Sequence, residues 1–276
     1  MGFYEDSSKR ALVFRDTMNL CSENTVLSQA VAQSIASQKI YYDCETSAEK
    51  IFDTLHAENE CAIHVTRNRT FQAAEKYVKT GKKVCVLNFA SSTSPGGGVW
   101  GGAGAQEECL CRCSTLYPAL EAVKQDFHDR HISLLKSGKM NGLYNDDIIF
   151  TPDVVVFKTD TVLPETRPQS QWYKVDVITC AAPNLRRSPE ISDEGLFEIH
   201  KTRLEKILAV AAKHKAEVIV LGAFGCGAFM NPPSLVSKAE KEVILKYAPY
   251  FKEIEFAVFC PPHDSTNYEA FKRELG

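Results

Sequence analysis

The stretch NFASSTSPGGGVWGGAGAQEE, residues 88–108, carries the strongest structural signal, because an apolar segment ends in it and a helical segment begins. Three consecutive glycines, Gly96 to Gly98, follow Pro95, and Gly101 and Gly102 come soon after. Such a loop costs conformational entropy unless the backbone needs a positive φ or a close approach to a ligand. Backbone N–H groups that precede a helix favour an anion, phosphate above all. The stretch therefore predicts a strand, a phosphate-binding loop and a helix, in that order.

Two familiar phosphate loops do not fit this stretch. No Gly-Lys-Ser/Thr follows the glycines, so it is not a Walker A loop, and the spacing is not that of the Gly-x-Gly-x-x-Gly dinucleotide turn. A hydride-transfer enzyme is therefore disfavoured. On composition alone, a flexible surface loop stays open beside the phosphate-binding interpretation.

Segments on both sides of the loop alternate between strand and helix patterns. Nearly continuous apolar, β-branched runs occupy residues 83–90, 148–157 with an interruption at Pro152, 175–182, 217–225 and 254–260. Helical patterns lie roughly at 105–125, 194–214, 234–247 and 265–274. Strands that are apolar on both faces are typical of a mostly parallel sheet covered by helices. The chain therefore predicts a three-layer α/β fold, with a mixed, mostly parallel sheet flanked by helices.

The first eighty residues are predicted to be mainly helical. Ser7 or Ser8 is expected to cap a helix through ALVFRDTMNLC. Asn24 is expected to cap a second helix through TVLSQAVAQSIASQ, in which apolar residues recur at helical spacing.

A short strand and another helix follow before the first long apolar run. CAIHVT, from Cys61, alternates like a strand, and the helix pattern over 70–79 is expected to end at Gly81, a residue suited to follow a helix. No repeat or low-complexity linker appears. We therefore expect residues 1–80 to form a helical extension packed on a core domain of residues 81–276, with a soft boundary.

A second glycine-rich loop, GAFGCGAFMNPP at residues 222–233, also follows an apolar strand pattern. Gly225 to Gly227 predict a tight turn, and the residues up to Pro232 lead into a helix, so this is a second candidate anion site. Phe229 is a candidate to stack on a ribose, with a core position as the alternative. Two anion loops at one sheet edge suit a diphosphate better than a single phosphate.

The first loop ends in Gln106-Glu107-Glu108, two adjacent carboxylates at a predicted helix start. Acidic residues in a first helical turn are stabilised by the helix dipole, so a purely structural role is one interpretation. The nearby glycines favour a second interpretation, in which the two carboxylates are catalytic. A carboxyl group beside a bound sugar phosphate is the usual equipment for breaking a glycosidic bond.

These residues resemble a known family. Pro95-Gly96-Gly97-Gly98, followed after seven residues by Gln106-Glu107-Glu108, resembles the GGG-X(6–8)-QEE signature of poly(ADP-ribose) glycohydrolases. The segments TRNRTFQAAEKYV, VDVITCAAPN and LGAFGCGAFMNPP are similar to the microbial branch, and the resemblance covers most of residues 60–265. It implies a macrodomain-like fold that binds ADP-ribose, with the first loop catalytic and the second binding the diphosphate.

The resemblance implies roles for individual residues. Glu108 matches the catalytic carboxylate of the family, Glu107 the neighbour that orients the ribose, and Phe229 the aromatic that packs against that ribose. The implied ligand-binding set is Asn88, Ala90, Gly96, Gly97, Gly98, Gln106, Gly225, Cys226, Gly227, Ala228 and Phe229. No motif match assigns the adenine-stacking residue, and neither a metal nor a cofactor is implied.

The reaction implied is hydrolysis of the ribose–ribose O-glycosidic bonds of poly(ADP-ribose), which releases ADP-ribose. Glu108 would donate a proton to the leaving oxygen and then, as a carboxylate, activate water. We expect the proximity of Glu107 to help raise the pKa of the acid member of the pair.

Three rival functions stay open at this point. The first is a reader that binds ADP-ribose without hydrolysing it, for which the Glu107-Glu108 pair has no use. The second is a hydrolase of another ADP-ribosyl linkage, on protein, nucleic acid or a metabolite. The third is a nucleotide-binding scaffold or a toxin partner. Chain-length preference, exo or endo cleavage and oligomeric state leave no signal in the sequence.

The whole chain of 276 residues has a formal net charge of −3, which disfavours a surface built to grip bulk nucleic acid. The partner we expect is ADP-ribose, as poly(ADP-ribose) or on an ADP-ribosylated macromolecule. No signal-peptide pattern opens the sequence, and no apolar run reaches the length of a membrane span. We therefore expect a cytoplasmic protein without membrane contact.

Ten cysteines are distributed along the chain. Cys85, Cys180 and Cys260 fall in or at the end of apolar runs and are expected to be small core residues. A second group, Cys109, Cys111 and Cys113, lacks the C-x2-C spacing of a zinc site. We expect these to be free thiols on a helix, with a metal cluster that includes His128 and His131 as the alternative.

Overall fold

The computed structural model describes residues 2–261 and 263–276, with the backbone alone for residues 2–5. A seven-stranded sheet has the order β1-β4-β5-β3-β6-β7-β2. The strands are β1 Lys39–Tyr41, β2 Ala62–Thr66, β3 Val84–Phe89, β4 Ile148–Val156, β5 Tyr173–Cys180, β6 Val218–Leu221 and β7 Glu253–Ala257. β5, β3, β6, β7 and β2 are parallel, whereas β4 is antiparallel to both of its neighbours. The predicted mixed, mostly parallel sheet is confirmed.

Helices cover both faces of the sheet. They are α1 Gly2–Glu23, α2 Thr25–Ser37, α3 Ala48–Phe52, α4 Thr70–Val78, α5 Gln106–Cys113, α6 Leu116–Ala122, α7 Arg130–Lys136, α8 Asp193–Lys213, α9 Pro233–Tyr247 and α10 Thr266–Leu275. Cys85 and Leu87 of β3 pack with α8, α9 and α10, while Val84 and Val86 pack with α1, α4 and α5. Because successive strand residues point to opposite faces, both faces are apolar and each carries a helical layer.

The N-terminal helices differ in one respect from the prediction. Asn24 does cap α2, since its side chain accepts hydrogen bonds from Val26 N and Leu27 N. The expected cap at Ser7 or Ser8 is wrong, because α1 runs without a break from Gly2 to Glu23. Both serines lie inside this helix, which contacts residues 99–112 through hydrogen bonds to Gly102 O and Arg112 O.

The helical pattern at 105–125 corresponds to more than one helix. α5 ends before Ser114, whose extended backbone (φ −148°, ψ 177°) forms an isolated bridge with Val156 of β4. After α6, a π-helical turn at Gln125–Asp129 leads into α7. The interruption predicted at Pro152 is present as a register shift in β4 between Thr151 and Val154.

Both edges of the sheet come from the first eighty residues. β2 pairs with β7 at one edge, and β1, which the sequence did not predict, pairs with β4 at the other. The α1 helix lies against α5, where Thr17 Oγ1 donates to Arg112 O at 2.7 Å. The division at residue 80 stays a prediction, but the segment before it contributes strands to the same sheet.

The cysteines among the described residues are free thiols. Cys85 and Cys180 are buried in the core and Cys260 is partly buried, while Cys109, Cys111 and Cys113 are buried on α5. No group of three or more His, Cys, Asp or Glu side chains in the described ranges has an arrangement that could hold a metal ion. None of the described helices is both long and apolar enough to cross a membrane.

Candidate active site

A cavity of about 410 Å³ lies at the carboxyl ends of the five parallel strands. Each strand is followed by a residue that lines it, namely Arg69 after β2, Ser91 after β3, Ala182 after β5, Ala223 after β6 and Val258 after β7. This is the edge at which open α/β sheets bind ligands. Both glycine-rich loops also contribute to the wall, so the predicted pairing of the two loops at one edge is confirmed.

Gly97 brings the first loop against both carboxylates. Its φ is +56°, and a Cβ there would lie 2.6 Å from Glu108 Oε1 and 3.2 Å from Glu107 Oε2. Contacts under 3.0 Å to a Cβ essentially never occur, and a positive φ disfavours any side chain. The glycine is therefore required by the close approach of the backbone to the carboxylate pair.

Glu108 lines the cavity with only one of its carboxyl oxygens engaged. Oε1 accepts a hydrogen bond of 2.9 Å from Gly98 N, which belongs to the first loop. Oε2 is buried and has no hydrogen-bond partner among the described residues. A buried oxygen without a partner is costly unless it serves a ligand or a reaction. The side chain is thus fixed at one oxygen and available at the other.

Glu107, in contrast, is held at both oxygens. Oε2 accepts from Ser91 N at 2.7 Å, and Oε1 accepts from Asn88 Nδ2 at 3.4 Å. Burial, with a smaller contribution from the nearby charge of Glu108, raises the pKa of Glu107 to about 8, even though the hydrogen bonds from Ser91 N and Asn88 lower it. The raised pKa is therefore that of Glu107, whereas we predicted it for the acid member of the pair, Glu108.

Gln106 ties the start of α5 to the end of β3. Its Oε1 accepts from Phe89 N at 2.9 Å, and its Nε2 donates to Leu87 O at 2.8 Å and to Thr70 Oγ1 at 3.1 Å. These bonds fix the position from which Glu107 and Glu108 extend. Gln106 lines the cavity, and its expected ligand contact stays a prediction.

The second loop turns at Gly225, whose φ is +78°. A Cβ there would lie 2.6 Å from Asn231 Nδ2. Asn231 is buried, and its Nδ2 donates to Pro183 O at 2.7 Å and to Gly225 O at 3.0 Å. It therefore connects the end of the loop to its turn and to the residues that follow β5. Its Oδ1 lies 3.0 Å from His200 Nε2.

Phe229 is partly buried in the cavity wall. Its carbonyl accepts a hydrogen bond of 3.0 Å from Leu185 N, and its ring lies 6.3 Å, between centroids, from that of Tyr144. Tyr144 has a φ of +58°, which is uncommon for a residue other than glycine. The aromatic side chain is therefore presented to the cavity by a backbone that is held in place.

The sequence-predicted residues divide into two groups. Those that line the cavity are Gly97, Gln106, Glu107, Glu108, Gly225, Gly227, Ala228 and Phe229. Those that lie outside the wall are Asn88 near the end of β3 and, in the two loops, Ala90, Gly96, Gly98 and Cys226. In this second group, Asn88 and Gly98 hold the two carboxylates, as described above.

Several cavity residues were not predicted. Arg69 and Phe259 follow β2 and β7, and the Arg69 guanidinium lies 4.0 Å from the centre of the Phe259 ring. Their place after parallel strands was a signal available in the sequence, since the same rule had identified the two loops. Asp160 follows the antiparallel β4 and accepts from Phe71 N at the start of α4. No local pattern indicated it.

The sheet lies between two layers of helices, and one cavity at its edge contains two glycine-rich loops and a pair of carboxylates. This combination of fold and site is that of a macrodomain-like hydrolase. The family description "Microbial-type PARG, catalytic domain" matches residues 1–159, where PARG is poly(ADP-ribose) glycohydrolase. The chain belongs to this family and is a glycosidase of that type. No curated protein matches the chain.

Solved structures of bacterial members are similar over nearly the whole chain. Poly(ADP-ribose) glycohydrolase from Thermomonospora curvata has a TM-score of 0.84 and 30% identity, over 97% of this chain and 100% of that one. The same enzyme bound to the inhibitor ADP-HPD gives a TM-score of 0.82 at 30% identity with the same coverage. The Deinococcus radiodurans enzyme in complex with ADP-ribose gives 0.76 at 28% identity, over 88% of this chain and 96% of that one.

Proposed function

We propose that this protein binds ADP-ribose units and hydrolyses the O-glycosidic ribose–ribose bonds of poly(ADP-ribose), with Glu108 as general acid and base. The observation that carries the proposal is the different bonding of the two carboxylates. Glu108 has one oxygen fixed by Gly98 N and one without a partner, whereas both oxygens of Glu107 are occupied. A group that transfers protons needs an oxygen that is not already committed.

In the proposed reaction, Glu108 donates a proton to the leaving oxygen as the bond at ribose C1 breaks. The oxocarbenium-like centre then reacts with a water that the Glu108 carboxylate deprotonates. General acid–base assistance of this kind contributes about 10²–10⁴-fold. The Gly98 hydrogen bond to Oε1 supports the assignment, because it leaves Oε2 as the oxygen that exchanges the proton.

Glu107 is proposed to orient the reacting ribose rather than to exchange a proton. Its bonds with Ser91 N and Asn88 fix the side chain, and a carboxyl group with a pKa of about 8 is mostly protonated at neutral pH. A protonated Glu107 places no second full negative charge beside Glu108. It therefore leaves a single ionisable group to alternate between acid and base.

The diphosphate is proposed to lie between the two loops. Gly225 and Gly227 line the cavity in the second loop, and Gly97 and Gly104 line it in the first. Backbone N–H groups in such loops bind phosphate oxygens without a charged side chain. Phe229 then packs on the ribose that carries the scissile bond.

The test is incubation of the protein with poly(ADP-ribose), with mono-ADP-ribosylated protein and with ADP-ribosylated DNA, and measurement of the ADP-ribose released. We expect release from poly(ADP-ribose). Release from one of the other substrates alone would assign the site to a different ADP-ribosyl linkage. Binding of ADP-ribose without release from any of the three would point to a non-catalytic reader.

Ligand binding gives a second test. ADP-ribose should raise the melting temperature, because it binds the folded state alone. AMP and ribose 5-phosphate should raise it much less at the same concentration, since each offers only part of the diphosphate and ribose contacts. Equal shifts with AMP and ADP-ribose would contradict a site built around the diphosphate.

A further inference from the structure

A buried serine–histidine–aspartate chain begins at Ser92 in the first loop and lies outside the cavity wall. Ser92 Oγ is 2.8 Å from His131 Nδ1, and His131 Nε2 is 2.9 Å from Asp147 Oδ2. Each of the three residues is about 1% exposed. The residue types are those of a hydrolase triad, but burial keeps any substrate away from Ser92, so the chain does not act as a nucleophile.

The direction of the hydrogen bonds in this chain follows from Asp147. Burial raises the pKa of Asp147, but hydrogen bonds from His131 and from Asp43 N outweigh it and lower the pKa to about 2. Arg130 Nη1 also donates to Oδ2 at 2.5 Å. An ionised carboxylate only accepts, so His131 Nε2 carries a proton. In the neutral imidazole, Nδ1 then accepts a hydrogen bond from the Ser92 hydroxyl, which fixes that side chain.

Ser92 is adjacent to the group that holds Glu107. The amide of Ser91 donates to Glu107 Oε2 at 2.7 Å, and Ser91 Oγ accepts from Thr93 N at 3.3 Å and Ser94 N at 3.2 Å. The turn is therefore folded around Ser91, and the fixed side chain next to it is that of Ser92. Because Ser92 directly follows Ser91, we expect displacement of Ser92 to move the Ser91 amide, and with it the Glu107 carboxyl group.

The local helix geometry supports the same arrangement. The π-helical turn Gln125–Asp129 contains His128, whose Nδ1 lies 3.4 Å from Ser92 O, and His131 follows in the first turn of α7. His131 Nδ1 lies 3.1 Å from the same carbonyl. Single π-helical turns occur often at functional sites. Here the turn places both buried histidines, His128 and His131, within hydrogen-bond distance of the Ser92 carbonyl in the first loop.

We propose that Asp147 and His131 act through Ser92 as positioning residues that hold the Ser91 amide against Glu107. The inference rests on the proposed function, because it assigns Glu107 to the reacting ribose. It extends the active site to residues that never touch substrate. A network that served stability alone would leave the turnover number unchanged once the protein was folded.

The decisive variant is Ser92→Ala, with Ser94→Ala as the matched control, since Ser94 is exposed and lies in the same loop. Four quantities are measured for each, namely kcat and KM on poly(ADP-ribose), the ADP-ribose Kd, the melting temperature and the pH–rate profile. Misplacement of a catalytic group by about 1 Å can cost about 10²-fold in rate. We expect Ser92→Ala to lower kcat by at least about tenfold, within that range, while Kd changes less than about threefold.

The pH–rate profile provides the readout specific to positioning. The Ser91 hydrogen bond lowers the pKa of Glu107, so its loss should move the limb that reports Glu107 to higher pH. The Ser94→Ala variant should match the unmodified protein. If Ser92→Ala does not fold, Asp147→Asn carries the same test, because it keeps the shape and removes the charge that fixes the imidazole tautomer.

Two results would overturn the inference. One is a Ser92→Ala protein with a lower melting temperature but an unchanged kcat and an unmoved pH profile. The other is a loss of ADP-ribose binding as large as the loss of kcat. Failure of the unmodified protein to cleave poly(ADP-ribose) would instead contradict the proposed function, so the two failures are distinguishable.

Discussion

The two glycine-rich loops of the cavity follow neighbouring strands, yet they are held in different ways. The first loop, residues 90–105, is supported from outside by α1, α6 and α7. The second loop, residues 222–232, is supported mainly by Asn231, which belongs to the loop itself. The first loop holds the two carboxylates of α5, and the second is proposed to offer its backbone to a phosphate, so the difference in support matches the proposed difference in task.

The support of the first loop from α1 and α6 is close. Arg10 Nε donates to Gly102 O at 2.7 Å, and a Cβ at Gly102 would collide with the backbone of α1. The ring of Tyr117 leaves no room for a Cβ at Gly96, and its hydroxyl accepts from Trp100 Nε1 at 2.8 Å. The loop is therefore clamped along its length.

The second loop has more freedom at its tip. Met230 is 65% exposed and has a φ of +65°, although Asn231 beside it is buried. Proton transfer requires a carboxyl group to be placed within a fraction of an ångström, whereas several N–H groups share the binding of a diphosphate. We therefore expect substitutions in the first loop to lower turnover and substitutions in the second to weaken binding.

The largest effect is expected for Glu108→Gln. The amide is nearly isosteric and keeps the bond from Gly98 N, but it cannot exchange a proton, so turnover should fall by about 10²-fold or more. The ADP-ribose Kd should stay within several-fold. Turnover is measured as the rate of cleavage of poly(ADP-ribose), and the ADP-ribose Kd is measured by calorimetry.

The control for this prediction is Glu49→Gln. Glu49 is an exposed acidic residue in the first turn of α3, so it tests the helix-dipole interpretation alone. A dipole role predicts a stability cost of about 0.3–1 kcal/mol and no loss of rate for both variants. Folded Glu108→Gln protein that turns over at a near-normal rate would remove Glu108 from the mechanism.

The next effect is expected for Gly97→Ala. The new Cβ would lie 2.6 Å from Glu108 Oε1, at a φ of +56° that disfavours alanine, so the carboxylate or the loop must shift. We expect kcat to fall at least about tenfold, within the range that displacement of about 1 Å can produce. Gly101→Ala is the matched control, because a Cβ there meets nothing within 4 Å. Equal rates for the two variants would show that the first loop tolerates displacement.

In the second loop, Asn231→Ala should weaken binding more than it slows turnover. The substitution leaves the carbonyls of Pro183 and Gly225 without their donor, at a cost of about 1–3 kcal/mol in stability. The loosened loop should raise the ADP-ribose Kd by about tenfold, which corresponds to about 1.4 kcal/mol. Met230→Ala is the control in the same loop. A fall in kcat without a change in Kd would contradict the proposal that the first loop serves turnover and the second serves binding.

The sequence predicts the loops well because their signals are local. A β-branched run followed by glycines and a helix pattern is read from about twenty adjacent residues, and both loops are where they were expected. The buried network is different. Ser92 lies 39 positions from His131, and His131 lies 16 from Asp147, so only the packed fold brings them together.

Other features lacked a local signal for a related reason. The strand β1 has three residues and exists through its pairing with β4, so no periodicity marks it. Fold class is encoded in patterns that repeat along the chain, whereas the support of a site depends on single residues far apart. The carboxylates were therefore predictable, and most of what holds them was not.

A last prediction concerns stability rather than turnover, and it follows from the burial of Glu107 beside the first loop. Its folded-state pKa of about 8 lies above the ordinary value of 4.5. Between these values the folded protein retains a proton that the unfolded chain releases. The free energy of unfolding therefore falls as pH rises through this window, by up to about 1.4 kcal/mol per pH unit from this one group.

Glu107→Gln removes this dependence, because an amide does not titrate. Asn88 Oδ1 has no partner among the described residues, so a flip of the Asn88 amide would give the introduced amide an acceptor. We expect the variant to melt above the unmodified protein at pH 8 and much closer to it at pH 5, even though its turnover is reduced. Glu58→Gln, an exposed site, should show no such trend. A difference in melting temperature that stays constant between pH 5 and pH 8 would mean that Glu107 is ionised in the folded protein, and that its hydrogen bonds from Ser91 and Asn88 outweigh its burial.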